Sequence, residues 1–313
     1  MPAAPVPPSS AAPTLWRAWS AALRPASLPI AVSPVLVGAA VAFHQQGQLP
    51  PLLTLTALLC ALLMQLITNL QNDVGYTQRG GERLGNRTGL PRATAEGWLT
   101  PRAVRRAIVA LSLLALGLGL LLCYWRGWPV LALGTASLLA ALAYMGGPKP
   151  IAYTPWGELT VFVFFGLVAV LGTEWLLSGQ ISVLGTLAAV AIGSLSAAAL
   201  LVNNRRDMAH DRSVGRHTLA VWLGERRCNH VMALLLGLPF AASMGMALWA
   251  QQAWLLLPCV WCCQAWRIQR SFATCVPGLA FNQVLFAVFR LVLCVSATLS
   301  VALVLKRVVP PLH

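Results

Sequence analysis

Acidic side chains are scarce in this sequence of 313 residues, which has eight Asp and Glu against 22 Lys and Arg. Charged residues make up only 10% of the chain, whereas soluble domains carry about 25%. A soluble helical protein also needs polar faces on its outer helices, and a run such as 108–124 offers none. The composition therefore excludes an ordinary soluble domain.

Basic patches interleaved with aromatic side chains, the pattern of nucleic-acid binders, are also absent despite a net charge of +14. Most of the basic residues instead gather in two loops, near 79–106 and 205–227. The positive-inside rule places both loops and the N-terminus in the cytoplasm. We therefore expect the charge to serve membrane topology and anion binding, and we expect no nucleic-acid partner.

Long apolar runs dominate what remains, with 58% hydrophobic residues and a mean hydropathy of +0.72. A helix needs roughly 20 mainly apolar residues to cross a bilayer. Nine runs meet this need: 26–44, 52–71, 103–124, 128–145, 157–177, 181–203, 229–249, 252–268 and 281–305. The sequence predicts an all-α, polytopic membrane protein with about nine transmembrane helices around a central cavity. Because residues 2–14 are rich in Pro, Ala and Ser, we expect a disordered tail over 1–14 and one transmembrane domain over 15–308.

Two short polar clusters interrupt these runs and repeat each other. Asn69 precedes Asp73 by four residues, and Asn203 precedes Asp207 in the same way, with Asp211 one helical turn further on. Residues four apart lie on one face of a helix, so each pair points in one direction. Carboxylates at the edge of a membrane are costly, and the dipole at a helix C-terminus disfavours them further. Carboxylates at such unfavourable positions therefore indicate that these residues have a function.

Hard oxygen ligands from two helix ends suit Mg²⁺, which prefers one or two carboxylates together with substrate phosphates. Arginines follow both clusters and offer paired donors to phosphate. The pattern predicts that Asp73 and Asp207 hold a diphosphate through Mg²⁺.

The motifs are similar to those of a known family. Asn69-x-x-Asn72-Asp73, the loop Gly89-Leu90-Pro91-Arg92, and Asn203-Asn204-x-Arg206-Asp207-x-x-x-Asp211-x-x-x-Gly215-Arg216 resemble the UbiA superfamily of intramembrane aromatic prenyltransferases. The resemblance covers about residues 15–305. The stretch Gly146-Gly147-Pro148-Lys149 is most like the branch that prenylates a dihydroxynaphthoate.

The resemblance implies an Mg²⁺-dependent prenyltransferase in the bacterial inner membrane, with a polyprenyl diphosphate and an aromatic acceptor as substrates. For the naphthoate branch, the acceptor is 1,4-dihydroxy-2-naphthoate, and diphosphate and CO₂ are released as demethylmenaquinone forms. Two alternatives stay open. One is another aromatic acceptor, such as 4-hydroxybenzoate, and the other is a membrane transporter.

The resemblance also implies roles for individual residues. As catalytic residues it implies Asp73, Asp207, Asn69, Asn72 and Asn203; as diphosphate contacts it implies Arg79, Arg92, Lys149, Arg206 and Arg216; as metal ligands it implies Asp73, Asp207, Asp211 and Glu82. Tyr144, Tyr153 and Glu158 are expected near the acceptor. The first motif departs from the family, which carries a further Asp where this chain has Tyr76. Glu82 is expected to substitute for that carboxylate.

Overall fold

Helices, without any strand, form the regular structure in the residues that this computed structural model describes, which are 13–80, 89–276 and 278–308. The α-helices are α1 (Leu15–Leu23), α2 (Pro29–Gln46), α3 (Pro51–Gln78), α4 (Pro101–Arg126), α5 (Trp128–Met145), α6 (Gly157–Val161), α7 (Gly172–Ser178), α8 (Val183–Arg206), α9 (Met208–Ser213), α10 (Leu219–Ala250), α11 (Cys262–Thr274) and α12 (Ala280–Val308). A π-helix, Phe162–Leu171, joins α6 to α7. Of the predicted tail, Thr14 is described, and its side chain caps α1.

Seven helices in the described ranges are long and apolar enough to cross a membrane: α3, α4, α5, the continuous segment Gly157–Ser178, α8, α10 and α12. The segments Leu15–Ser27 and Pro29–Gln46, which contain α1 and α2, are long and apolar enough only when taken together, and they bend by 41° at a short break. Counted as one broken span, they are the eighth. The predicted count of about nine is therefore approximate. The run 252–268 makes the difference, since it divides into a 3₁₀-helix, Ala253–Trp261, and the start of α11.

Helix α8 lies at the centre of the bundle and packs against α10, α12 and the π-helix. Small residues allow the close approach of the π-helix to α8. A Cβ atom added to Gly166 of the π-helix would lie 2.7 Å from the Cα of Gly193 on α8, and one added to Gly193 would lie 2.9 Å from the Cα of Gly166. Glycines permit backbones to approach closely where lipid offers no hydrophobic driving force between helices. The two glycines thus set the position of the π-helix against α8.

The C-terminal ends of α3 and α8 meet at one end of the bundle, which we call the loop end. Three described loops, 89–99, 146–156 and 214–218, lie there. The start of α12 joins them, since the Arg206 guanidinium donates a hydrogen bond of 2.7 Å to the Oδ1 of Asn282. The fold therefore brings both polar motifs, far apart in sequence, to the same end of the membrane domain.

The Gly166–Gly193 contact yields a prediction. Gly193→Ala should lower the stability by about 1–3 kcal/mol, because an extra methyl group in a closed contact forces the backbones apart. Thermal unfolding in detergent measures the effect. Gly237→Ala on α10 is the matched control, because its new Cβ would meet no atom within 4 Å and alanine favours the helix by about 1 kcal/mol. Equal melting temperatures for the two variants would contradict the close contact.

Candidate active site

A cavity of about 360 Å³ opens among α2, α3, α5, the segment 157–178 and α8. Its two ends differ in chemistry. At the loop end, the lining side chains are polar or charged: Arg24, Asn69, Asn72, Asn203 and Arg206. Farther into the membrane the lining is apolar, with Val35, Leu122, Val130, Leu133 and Leu176 among its residues. A ligand that fits this cavity has an anionic or polar head and a long apolar body.

Asn69 and Asn72 from the first motif both reach this cavity. The Asn69 amide donates hydrogen bonds to the Leu23 carbonyl (2.8 Å) and to the Ser27 hydroxyl (3.0 Å). Its oxygen accepts a hydrogen bond of 3.2 Å from the Gln65 amide, one turn earlier on α3. Asn69 thus ties the end of α1 to α3. Gln65 was missed in the sequence analysis, although a buried amide one turn before Asn69 in an apolar run was a usable signal.

Asp73 is fully buried, and its carboxylate faces the 89–99 loop. One oxygen accepts the Ala93 backbone N–H at 2.9 Å. The other accepts the Thr94 backbone N–H at 2.9 Å and the Thr94 hydroxyl at 2.6 Å. Backbone N–H donors satisfy an ionised carboxylate well, since such hydrogen bonds are roughly twice as strong as neutral ones. In this geometry Asp73 holds the loop in place, and Asn72 beside it faces the cavity.

The second motif presents Asn203 and Arg206 to the cavity. Asp207 is the C-cap of α8 and receives a forked pair of hydrogen bonds from Arg206, of 2.9 and 2.8 Å. The chain then bends into the short helix α9, so Asn203, Asp207 and Asp211 do not share one continuous helix. Hydrogen bonds over four residues still connect them, since the Asp211 N–H donates to the Asp207 carbonyl at 2.7 Å. The predicted spacing of one helical turn between Asn203, Asp207 and Asp211 is thus kept, but the helix is interrupted at Asp207.

Asp211 belongs to a buried cluster that we call the Arg216 cluster: Tyr76, Arg92, Tyr153, Asp211 and Arg216. The Arg216 guanidinium forms an ion pair of 2.6 Å with Asp211, which is fully buried. It also donates to the Ala152 carbonyl at 3.1 Å. Burial, the largest single influence, lowers the pKa of Arg216, but the Asp211 carboxylate together with Tyr76, Tyr144 and Tyr153 outweighs it and raises that pKa above its ordinary value. Arg216 therefore remains a cation.

Tyr76 lies between the two cations of this cluster. The Arg92 guanidinium carbon is 4.1 Å from the centroid of the Tyr76 ring, and that of Arg216 is 5.4 Å from it. A cation over an aromatic ring is stabilised by the ring quadrupole, and the effect grows when water is excluded. Arg92 also donates a hydrogen bond to the Asn72 carbonyl. The tyrosine that stands in place of a carboxylate therefore packs two arginines that were expected to contact diphosphate.

The remaining candidates lie apart from the cavity or outside the described residues. Arg79 is exposed, donates to the carbonyls of Met145 (3.4 Å) and Gly147, and lies 5.4 Å from the Tyr153 ring. Lys149 is exposed on the 146–156 loop. Glu82 lies outside the described residues. Arg79 thus fastens the end of α3 to the loop after α5.

Of the three side chains expected near the acceptor, Tyr144 lines the cavity. Glu158 is buried behind it and accepts a hydrogen bond of 2.8 Å from the Asn204 amide. Tyr153 belongs to the Arg216 cluster instead. Arg24 also lines the cavity. The stretch Arg24-Pro25-Ala26-Ser27-Leu28-Pro29 resembles the naphthoate branch, but the sequence predicts no role in the site for its arginine.

The Asp73 hydrogen bonds yield a prediction about the 89–99 loop. In Asp73→Ala the loop loses three hydrogen bonds to a carboxylate, each contributing about 1.5–3 kcal/mol. We expect faster amide hydrogen exchange over residues 89–99 in this variant and in Thr94→Val. Thr94→Ser keeps the hydroxyl donor and should exchange like wild type. Unchanged exchange in Asp73→Ala would show that the carboxylate does not hold the loop.

The Arg216–Asp211 ion pair yields another. Arg216→Gln leaves a buried carboxylate without its cation and should destabilise the protein by about 3–5 kcal/mol. Adding Asp211→Asn to Arg216→Gln should restore part of that loss, because no buried charge then remains. Melting temperatures of the two single variants and the double variant give the coupling. Strictly additive losses would contradict a direct ion pair.

Comparison with known proteins places this geometry in a family. The model of the UbiA prenyltransferase family matches residues 31–289. The chain is 37% identical to the 1,4-dihydroxy-2-naphthoate octaprenyltransferase of Escherichia coli (strain K12) over 70% of this chain and 73% of the relative. It is 38% identical to the enzyme of the same name from Mycobacterium tuberculosis, over 67% of this chain and 70% of the relative.

Solved structures share the fold at low sequence identity. A UbiA homolog from Aeropyrum pernix K1 matches with a TM-score of 0.65 and 17% identity, over 89% of this chain and 97% of the homolog. A UbiA homolog from Archaeoglobus fulgidus, solved with GPP and Mg²⁺ bound, matches with a TM-score of 0.63 and 14% identity, over 90% and 99%. The predicted resemblance is confirmed, and this chain belongs to the UbiA prenyltransferase family.

Proposed function

We propose that this protein transfers a polyprenyl group from a polyprenyl diphosphate to 1,4-dihydroxy-2-naphthoate, releasing diphosphate and CO₂. The product is the reduced form of demethylmenaquinone. One observation carries the proposal: a single cavity is lined by asparagines and arginines at the loop end and by apolar side chains along the rest. The names of the bacterial relatives point to the naphthoate acceptor.

The two parts of the cavity match the two parts of the donor. Arg24 and Arg206 offer guanidinium groups to the diphosphate, and Asn72 and Asn203 offer amide groups beside them. The apolar lining receives the isoprenoid tail, which gains about 0.8 kcal/mol for each buried CH₂. A membrane enzyme can therefore bind the reactive head at its polar loop end and leave the tail in an apolar environment.

The residues at the α8 side fit Mg²⁺. Asn203 and Asp207 are one turn apart at the end of α8, and their oxygens are hard donors. The α3 side offers the amide of Asn72, because the Asp73 oxygens accept hydrogen bonds from the loop backbone. The Asp207 oxygens accept theirs from the Arg206 side chain, which would turn to the diphosphate when it binds. In the described part of the chain, no group of three or more His, Cys, Asp or Glu gathers around one point. Such a donor set suits an ion that would take most of its ligands from water and diphosphate, and Asn203 and Asp207 would hold a single Mg²⁺.

The chemistry is an electrophilic alkylation. The bond between C1 of the prenyl group and the diphosphate oxygen breaks, and the electron pair leaves with the diphosphate. Bound Mg²⁺ supplies charge neutralisation to that leaving group, and Arg206 and Arg24 add two fixed cations. The ring carbon that bears the carboxylate bonds to C1, and CO₂ departs and leaves its bonding pair in the ring. Tyr144 orients the acceptor at the cavity wall.

Two other functions have weaker support. Another aromatic acceptor would use the same cavity, but the bacterial relatives at 37% and 38% identity are both named for the naphthoate reaction. A transporter would place its charges near the middle of the membrane, whereas both Asn/Asp motifs of this chain lie at the loop end. We propose that the loop end faces the cytoplasm of a bacterial inner membrane, in keeping with the clustered basic residues.

Prenyl transfer by the purified protein tests the proposal directly. In nanodiscs, octaprenyl diphosphate and 1,4-dihydroxy-2-naphthoate should give a prenylated product and CO₂, and chelation of Mg²⁺ should stop the reaction. Asn203→Ala and Asp207→Ala should each lower kcat/KM by about 10²-fold or more, since each removes a group that stabilises the leaving diphosphate.

Glu96→Ala is the matched control, because it removes an exposed acidic side chain from the neighbouring loop. Its activity should equal that of wild type. Product from 4-hydroxybenzoate and none from the naphthoate would overturn the acceptor assignment. Full activity in Asp207→Ala would overturn the assignment of the site.

A further inference from the structure

A charged side chain lies on the outer face of α12, in contact with neither polar motif. Arg290 is the eleventh residue of this 29-residue helix and is exposed. The rise of about 1.5 Å per residue puts it roughly 15 Å from the start of the helix, within the lipid-covered part of the domain. An arginine inside the membrane costs free energy, and such a residue indicates a functional site. No hydrogen bond or ion pair of its side chain occurs within the described residues.

Arg290 borders a cleft that opens toward lipid between the start of α2 and α12. The cleft is lined by Ala26, Pro29, Gln283, Phe286, Phe289, Arg290 and Leu293. Side chains on a helix lean toward its N-terminus, and α12 begins at the loop end. Gln283 lies two helical turns before Arg290 on the same face of α12, and these two side chains supply polar groups to a cleft that is otherwise apolar.

The cleft adjoins the reaction cavity. Ala26, Phe286 and Phe289 line both spaces, so these three side chains are the wall between them. The rings of Phe286 and Phe289 meet edge to face, with centroids 6.3 Å apart. On the far side of this wall lie Arg24 and Arg206. Guanidinium groups thus stand on both sides of a thin aromatic partition, one group facing lipid and two facing the cavity.

We propose that Arg290 and Gln283 form a docking site for the diphosphate of an isoprenoid diphosphate that approaches from the bilayer. The inference rests on the proposed function for the identity of the ligand. Arg290 binds the diphosphate by charge-assisted hydrogen bonds, and the tail lies along Phe286, Phe289 and Leu293. The head then passes the wall formed by Ala26, Phe286 and Phe289 to reach Arg24 and Arg206. A short, water-soluble diphosphate can enter from the loop end and does not need this site.

Association kinetics in nanodiscs test the docking site without any turnover. The probes are two non-reactive analogues, octaprenyl thiolodiphosphate within the bilayer and dimethylallyl thiolodiphosphate added from water. We expect Arg290→Gln to slow association of the octaprenyl analogue about tenfold, as for loss of one charged phosphate contact, and to leave association of the dimethylallyl analogue unchanged. Arg290→Lys keeps the charge and should retain most of the association rate.

Arg270→Gln is the matched control, because it also removes an exposed helical arginine and borders neither cavity nor cleft. It should bind both analogues like wild type. Equal slowing of the association of both analogues by Arg290→Gln, or no slowing, would overturn the proposal. A loss seen only in nanodiscs with anionic phospholipid would also overturn it, because Arg290 would then hold a lipid headgroup.

The two proposals fail in different ways. A wild-type protein that binds octaprenyl thiolodiphosphate through Arg290, yet does not prenylate 1,4-dihydroxy-2-naphthoate, would retain the docking site and lose the proposed acceptor. Normal prenylation of the naphthoate with an unchanged rate of octaprenyl association in Arg290→Gln would retain the function and reject the docking site.

Discussion

The loop end depends on the interactions of one buried guanidinium group, that of Arg216. It pairs with Asp211 after α8, donates to the Ala152 carbonyl in the loop after α5, and packs against Tyr76 near the end of α3. Three segments that are remote in sequence thus meet at one cation. A buried charge of this kind is stable only with its partners in place, so the chain cannot keep one polar segment without the other two. Tyr76 in turn packs against Arg92, which donates to the carbonyl of Asn72 at the polar end of the reaction cavity.

The two repeated motifs have the same spacing but different surroundings. On α8, Asn203 and Arg206 face the cavity, and Asp207 accepts the forked pair from Arg206. On α3, Asn72 faces the cavity, while Asp73 caps the backbone of the 89–99 loop. The proposed metal site is therefore asymmetric, because its carboxylate ligand, Asp207, lies on the α8 side. Tyr76 adds to this difference between the two motifs. Its ring packs against Arg92, whereas an acidic side chain at this position would form an ion pair with Arg92.

Much of the fold was predictable, because apolar runs near 20 residues have few stable forms in a bilayer other than helices. The seven long spans and the pairing of the two motifs followed from hydropathy and from the repeated Asn and Asp. The run 252–268 was apolar enough to suggest a ninth span, but its division into two short helices depends on backbone geometry that hydropathy does not contain. The π-helix, Phe162–Leu171, had no signal in its composition for the same reason.

Within the site, residue identity was easier to predict than orientation. Asn69, Asn72, Asn203 and Arg206 line the cavity as the motifs suggested. The direction of the Asp73 carboxylate depends on the Ala93 and Thr94 backbone, which comes from a loop twenty residues away. Arg24 lines the cavity a few residues before the 41° bend between Leu15–Ser27 and Pro29–Gln46. Such contacts are tertiary, and no local pattern in the sequence encodes them.

The most direct test of this account is an experimental structure of the protein in nanodiscs with octaprenyl thiolodiphosphate and Mn²⁺ in place of Mg²⁺. We expect the diphosphate to lie among Arg24, Asn72, Asn203 and Arg206, with the tail in the apolar part of the cavity. We also expect one metal ion beside Asn203 and Asp207, with Asp73 still bound to the 89–99 loop. A diphosphate elsewhere, or Asp73 turned from the loop to ligate a second metal ion, would contradict it.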